Sequence, residues 1–175
     1  VRTWAARFDT ARARALGFQP LVLTTMLKGE AKDSGAFFAA IANEIARFGR
    51  PLPPPCAVIA AGENTVTING QYGSGGPSQT FALAAALDIA GLEHVVIAAL
   101  DTDGTDGPTE LAGGMVDGAT AAAARRLGHD PFAAVRKFDT SPVLEDLGDA
   151  IITGPTGTNV NDLKLLLVGG RQTDA

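Results

Sequence analysis

The chain has 175 residues, 46% apolar and 19% charged, and its 14 Lys and Arg against 19 Asp and Glu leave a net charge of −5. At this size roughly 70% of the unfolded chain's surface is buried on folding, so one hydrophobic core suffices without disulfides or metal staples. The basic pairs Arg12/Arg14, Arg125/Arg126 and Arg136/Lys137 are scattered, which gives no electrostatic footprint for nucleic acid or an anionic membrane. The apolar runs 81–87 and 95–100 fall far short of the ~18 residues of a spanning helix. Cys56 is the single cysteine and nothing near Val1 reads as a leader, so a reducing cytoplasm is the expected compartment.

In chain order, residues 3–17 carry helical apolar spacing (Ala5, Phe8, Ala11, Ala15, Leu16) and stop at Gly17, a natural left-handed cap. Residues 20–26 are short and β-branched. Residues 31–48 repeat the helical pattern through Phe37, Phe38, Ile41, Ile45 and Phe48, ending at Gly49 before a semi-rigid proline-rich connector, 51–55. Residues 56–61 predict a buried strand and 65–68 an alternating one, with Asn64 near the turn of a hairpin. Pro77 suits the first position of a helix that is apolar on nearly every side from 81 to 90. A core strand (95–100), an Ala-rich helix (119–127, Asp117 near its cap) and two short helices opening at Asp130-Pro131 and Ser141-Pro142 follow. Strands at 150–153 and 164–168 close the pattern. Helices alternating with short apolar strands predict an α/β fold: a three-layer α/β/α domain with a mixed, mostly parallel sheet, residues 1–175 forming one unit.

Ligands in such folds sit outside the carboxyl ends of strands. Three loops qualify. Residues 70–79 form a Gly-rich turn into a helix, where free N–H groups and the helix dipole attract anions; the same glycines serve a plain turn needing positive φ, and neither GxxxxGK[ST] nor GxGxxG is present. Residues 101–110 hold four acidic side chains in ten, hard oxygen ligands suited to Mg²⁺, or else a set of Asx turns and a helix cap. Residues 153–162 are dense in hydroxyls and amides and suit a sugar-acid or phosphate site, or a loop satisfied by its own side chains. His94 and His129 stand apart from any nucleophile motif and read as surface residues, which leaves covalent acyl transfer and a zinc site without support. Trp4, Tyr72 and Met115 read as packing or rim residues.

The three loops in this order resemble the MOFRL domain, the C-terminal part of class II glycerate 2-kinases, whose members often carry a hydroxypyruvate reductase label. The resemblance is carried by Ala61-Gly62-Glu63-Asn64-Thr65-Val66, by Gly73-Ser74-Gly75-Gly76 with Gln79, by the run from Thr102 to Thr109, and by the run from Thr153 to Asp162. Residues 12–60 resemble the segment just before that domain, and 61–168 its core. It implies a longer two-domain enzyme with a Rossmann-like N-terminal half and a cleft between the halves, or a freestanding relative; a homodimer is compatible with it. The implied reaction moves the γ-phosphoryl of ATP to the 2-hydroxyl of D-glycerate, giving 2-phosphoglycerate, with Mg²⁺. Carried over residue by residue, Gly73, Ser74, Gly75, Gly76 and Gln79 would contact substrate or phosphate oxygens, and Thr156, Asn159 and Asn161 would add hydroxyl and amide contacts. Asp103 and Asp106 would hold Mg²⁺ or order their loop, and Glu63, Thr102 and Asp162 would support. An NAD(P)H-dependent reductase and a non-catalytic capping half are the alternatives; the first lacks a GxGxxG with its acidic partner.

Two departures stand out. Where the family continues Gly-Gly-Arg-Asn-Gln-Glu, this chain has Gly75-Gly76-Pro77-Ser78-Gln79-Thr80, and Asp101 stands where small residues are usual. A lost arginine matters, since arginine fingers contribute on the order of 10³ to 10⁵ in rate. Lys28 or Lys164 compensates, or the activity is altered or weak.

Overall fold

The structure, a computed structural model, describes residues 10–170. The expected helix over 3–17 is helical at 10–15 within this range and turns at Gly17; Trp4, Ala5 and Phe8 lie outside the described residues. Six strands and five further helices follow: β1 (Gln19–Leu27), α1 (Ala31–Phe48), β2 (Cys56–Gly62), α2 (Pro77–Asp88), β3 (Val95–Asp101), β4 (Gly113–Asp117), α3 (Thr120–Arg126), α4 (Pro131–Lys137), α5 (Ser141–Leu147), β5 (Ala150–Ile151) and β6 (Asp162–Val168).

The strands form one mixed sheet in the order β1-β2-β6-β3-β4-β5. Strands β1 and β2 pair in parallel across α1, whereas β6 runs antiparallel to both β2 and β3, and β4 is antiparallel to β3 and β5. The expected mostly parallel sheet is therefore corrected: one of five pairings is parallel. Apolar strands are the usual mark of parallel pairing, but β6 lies in the middle of the sheet, antiparallel to both β2 and β3, a non-local arrangement that strand composition does not encode.

Residue type explains the core. In α1, Phe38, Ala39, Ala42 and Ile45 point inward while Phe37 and Phe48 stay exposed, and Gly49 ends the helix in the left-handed conformation (φ 66°) with its N–H on the Ile45 carbonyl. Nine consecutive residues of α2, 78–86, are buried: 81–86 as their all-round apolarity requires, Ser78 and Gln79 with hydrogen-bond partners. The helices α1 and α2 cross closely at Gly35, where a Cβ would overlap the Phe81 carbonyl oxygen, and the Phe38 and Phe81 rings meet edge to face at 5.1 Å. On the sheet, Cys56, Val58, Ala60, Ile97, Ala99 and Leu166 complete this cluster, while α3, α4 and α5 pack on the outer side of α2 through Leu83, Ala124, Val135 and Val143. Helices α1 to α5 thus lie on one face. The opposite face, with Leu163, Leu165 and Leu167 half-buried and Met115 exposed, takes none of these five, so the third layer expected of an α/β/α arrangement is not among them.

Two further expectations change. Residues 65–68 form no hairpin strand: Thr65 makes a lone parallel bridge to Glu30, and Glu30 accepts hydrogen bonds from the backbone and hydroxyl of Thr67, so this stretch is pinned to the head of α1. Strand β4, Gly-Gly-Met-Val-Asp, was not foreseen. Its Gly114 leaves room for Leu144 and Ala82, and glycine is a poor strand signal.

Candidate functional site

Strands β1, β2 and β3 all end at the edge where β6 begins. There the segments 63–65, 101–103 and 159–162 converge, with Asp101 directly opposite Asp162 across the β3–β6 ladder. They enclose a cavity of about 230 Å³. Its acidic wall is Glu63, Asp101, Asp103 and Asp162, completed by Asn64, Thr65, Pro77, Thr102 and Asn159. A larger cavity of about 880 Å³, near Arg47, His94 and Gly169, opens at the other end of β3 and β6, away from all three loops. We place the chemistry at the smaller one, because three polar loops meet there at strand ends.

The loops following β3 and preceding β6 are locked together. The Thr102 hydroxyl donates to the Asn161 carbonyl and accepts from the Val160 N–H, both at 2.9 Å. Thr156 donates its N–H to the Asp103 carbonyl and its hydroxyl to the Thr102 carbonyl. Asn159 donates to Asp103 Oδ2 at 3.0 Å, while Asp103 Oδ1 accepts from Thr105, an Asx turn. Asn161 holds a left-handed conformation (φ 70°), tolerated by asparagine, and its amide reaches Glu63.

N–H groups of the Gly-rich turn and of the helix start behind it have acceptors within the chain. Gly73 N–H goes to the Lys137 carbonyl and Ser74 N–H to Asp139 Oδ1. Ser78 and Gln79 N–H donate to the two carboxylate oxygens of Asp106 at 3.0 and 2.7 Å. The Gln79 side chain is wholly buried, accepting from Ser141 and donating to Thr109.

Beneath the cavity lies a constellation that periodicity did not single out. Lys164, on the central strand β6 between Ala60 and Ala99, is wholly buried; its Nζ donates to Asp162 Oδ2 at 2.8 Å and to the Ser78 hydroxyl at 3.2 Å. That hydroxyl in turn donates to Asp101 Oδ1 at 2.6 Å. Burial, then the nearby Asp106 and Asp162 charges, push the Asp101 carboxyl up to about 7, against the pull of Ser78 and Lys164. Asp106 is raised as well, chiefly by burial, with the two backbone N–H groups opposing.

The MOFRL family profile matches residues 56–162. The chain belongs to the MOFRL family. A glycerate 2-kinase from Pyrococcus horikoshii is 46% identical over 160 residues, covering 91% of this chain and 36% of that protein. A D-glycerate 2-kinase from Thermotoga maritima is 44% identical over 156 residues, covering 89% and 37%. A relative from Agrobacterium vitis, provisionally named a hydroxypyruvate reductase, is 36% identical over 160 residues. Among solved structures, a Pyrococcus horikoshii protein superposes with a TM-score of 0.94 at 44% identity over 97% of this chain and 39% of its own. The glycerate kinase of Thermotoga maritima gives 0.91 at 42% identity over 93% and 39%. This MOFRL chain thus spans well under half the length of these relatives.

Of the residues that the MOFRL resemblance singles out, Glu63, Thr102, Asp103, Asn159 and Asp162 line the cavity. Thr156 and Asn161 stand behind them, holding the loops. Gly73, Ser74, Gly75, Gly76 and Gln79 are not in the lining; their close neighbours are Asp139, Thr140, Asp106 and Ser141. Asp106 does not face the cavity with Asp103, because both its oxygens cap α2. Among the described residues no three His, Cys, Asp or Glu converge as a metal set, and of the two carboxylates expected to hold Mg²⁺ only Asp103 lines the cavity. Neither lysine replaces the family arginine as a free cation at the cavity: Lys164 is buried and paired, and Lys28 is exposed and outside the lining. Asp101, Ser78 and Lys164 were the residues missed as a group; Asp101 and the lysine each signalled themselves, but only as departures or substitutes. No helix of the described residues is long and apolar enough to cross a membrane.

Proposed function

We propose that this chain forms one side of the cleft of a glycerate 2-kinase-type phosphotransferase, which moves the γ-phosphoryl of ATP to the 2-hydroxyl of D-glycerate and yields 2-phosphoglycerate. The observation that carries the proposal is the 46% identity to a glycerate 2-kinase across nearly all of this chain, with the family profile spanning each loop at the cavity. Phosphoryl transfer asks for positioning and charge neutralisation more than for covalent chemistry. Here Asn159 offers an amide contact to a small hydroxy acid at the cavity, Thr102 holds the two loops together beside it, and the carboxylates of Asp101 and Asp103 are acceptors for the proton that the attacking hydroxyl loses. Glu63, Thr156, Asn161 and Asp162 hold the loops in register.

The charge balance shows what this side of the cleft leaves to others. Four carboxylates line the cavity, and no Arg, Lys or His does. Glycerate and ATP are anions, so the neutralising cations must come from the Mg²⁺ that ATP brings as part of the substrate, which retains mostly water and phosphate ligands, and from a Rossmann-like N-terminal half. The assay is phosphorus NMR with Mg-ATP and D-glycerate on the chain and on Pro77→Arg. 2-Phosphoglycerate above the protein-free control, in either, supports the kinase reading. NADH oxidation on adding hydroxypyruvate would replace it with a reductase, and silence in both assays would leave a capping half.

A further inference from the structure

The first N–H groups of a helix lack intrahelical acceptors and sit at the positive end of its dipole, which makes them a seat for an anion. At the head of α2 that seat is filled from inside the chain. Asp106 comes from the acidic loop after β3, is wholly buried, and gives one carboxylate oxygen to the Ser78 N–H and the other to the Gln79 N–H. Its main-chain carbonyl is held too, by the Thr109 hydroxyl at 2.8 Å.

The glycines of the preceding turn fit this occupant. A Cβ on Gly76 would overlap the Asp106 carboxylate, one on Gly75 would press on the Thr140 hydroxyl, and one on Gly73 would overlap the Asp139 carboxylate. The remaining donor at the helix start is absent, since Pro77 has no N–H. Glycines that look made for a bound phosphate are therefore made for the chain's own side chains.

We infer that Asp106 is a built-in oxyanion, a positioning residue whose carboxylate occupies the anion seat of α2 and so fixes the Gly-rich turn against the acidic loop. Ligand phosphate or carboxylate groups are then received at the cavity and not at this helix end. The buried Lys164 favours its ionised form, and the two backbone donors hold one oxygen each. The inference stands independently of the kinase reading, because it concerns an internal contact.

The test is removal and replacement of the carboxylate. Asp106→Ala is melted in sodium formate and in sodium chloride at matched ionic strength, beside the wild type and Asp106→Asn. The alanine variant is expected to melt several degrees lower, and formate, not chloride, to restore most of that loss in a saturable way. The wild type and the asparagine variant, whose side chain fills the seat in space though its NH2 cannot accept the second N–H, are expected to respond alike to the two salts. In the rescued alanine variant the Ser78 and Gln79 amide proton resonances return toward their wild-type positions. An alanine variant as stable as the wild type, or a formate response equal in all three proteins, overturns the inference. Should the alanine variant fail to fold in chloride, refolding yield in formate against chloride reads the same quantity, and equal yields overturn it.

Discussion

Replacing Lys164 by methionine tests whether the charge beneath the cavity or merely its bulk matters to the fold. Methionine nearly conserves volume and keeps a soft contact with Phe81, whose ring centre lies 5.8 Å from Nζ, so no large cavity opens. What is lost is the cation, and with it the partner of Asp162, whose side chain is only 11% exposed. Removing one member of a buried ion pair costs about 3–5 kcal/mol, because the other charge is left uncompensated. Asp162 lies at the cavity rim and regains some water, which places the expected loss at the lower end, about 3 kcal/mol, or roughly 6–12 °C in melting temperature for a chain of this size. The assay is urea unfolding at neutral pH of the wild type, Lys164→Met, Asp162→Asn and the double variant, with an unchanged m-value as the check that only stability moved. The double variant should lose less than the sum of the singles by about 1–3 kcal/mol. A cost below about 1 kcal/mol for Lys164→Met, or strict additivity, would refute the reasoning.

Asp101 has its carboxyl raised from 3.8 to about 7, so the folded chain binds that proton more tightly than the unfolded chain does. Its contribution to stability is therefore most favourable below about pH 4 and declines as pH rises to about 7. Asp101→Asn should flatten that part of the melting-temperature profile between pH 4 and 8, and an unchanged slope would reject the assignment. Phe81→Ala, at the edge-to-face contact with Phe38, should cost about 3–5 kcal/mol in urea unfolding. Gly49→Ala forces a Cβ into a left-handed cap and should cost about 1 kcal/mol by the same measurement. Asn159→Ala cuts one tie between the two locked loops; amide exchange at 154–160 should quicken while global stability changes by less than about 1 kcal/mol, since the site is exposed.

Much of the helical framework was legible because its signals are local. The apolar spacing from Phe38 to Ile45 and the Gly49 stop place α1 at its observed ends, and Pro77 with the apolar run behind it places α2. Strand pairing was less legible: composition marks a buried strand, while the direction of its neighbour depends on where β6 comes to lie. Residues 65–68 alternate like a strand but are held as a loop by Glu30, a contact 37 residues away from Thr67 that no window detects. At the site, the loop rich in Thr and Asn was recognisable, and five of its expected residues and partners line the cavity. In the Gly-rich turn, close approach of a side chain and close approach of a ligand demand the same glycine, so the pattern alone does not separate the two. The Asp101, Ser78 and Lys164 chain was hidden for the opposite reason: its members are far apart in sequence and share no motif.

The central position of β6 also bears on synthesis. A ribosome delivers β2 and β3 long before the strand that must separate them, so during elongation two apolar ladder edges wait unpaired for residues 162–168. Long-range pairing of this kind is slow, and open edges invite the wrong neighbour. The interval between synthesis of β3 and of residues 162–168 is therefore a window in which this sheet is open to mispairing.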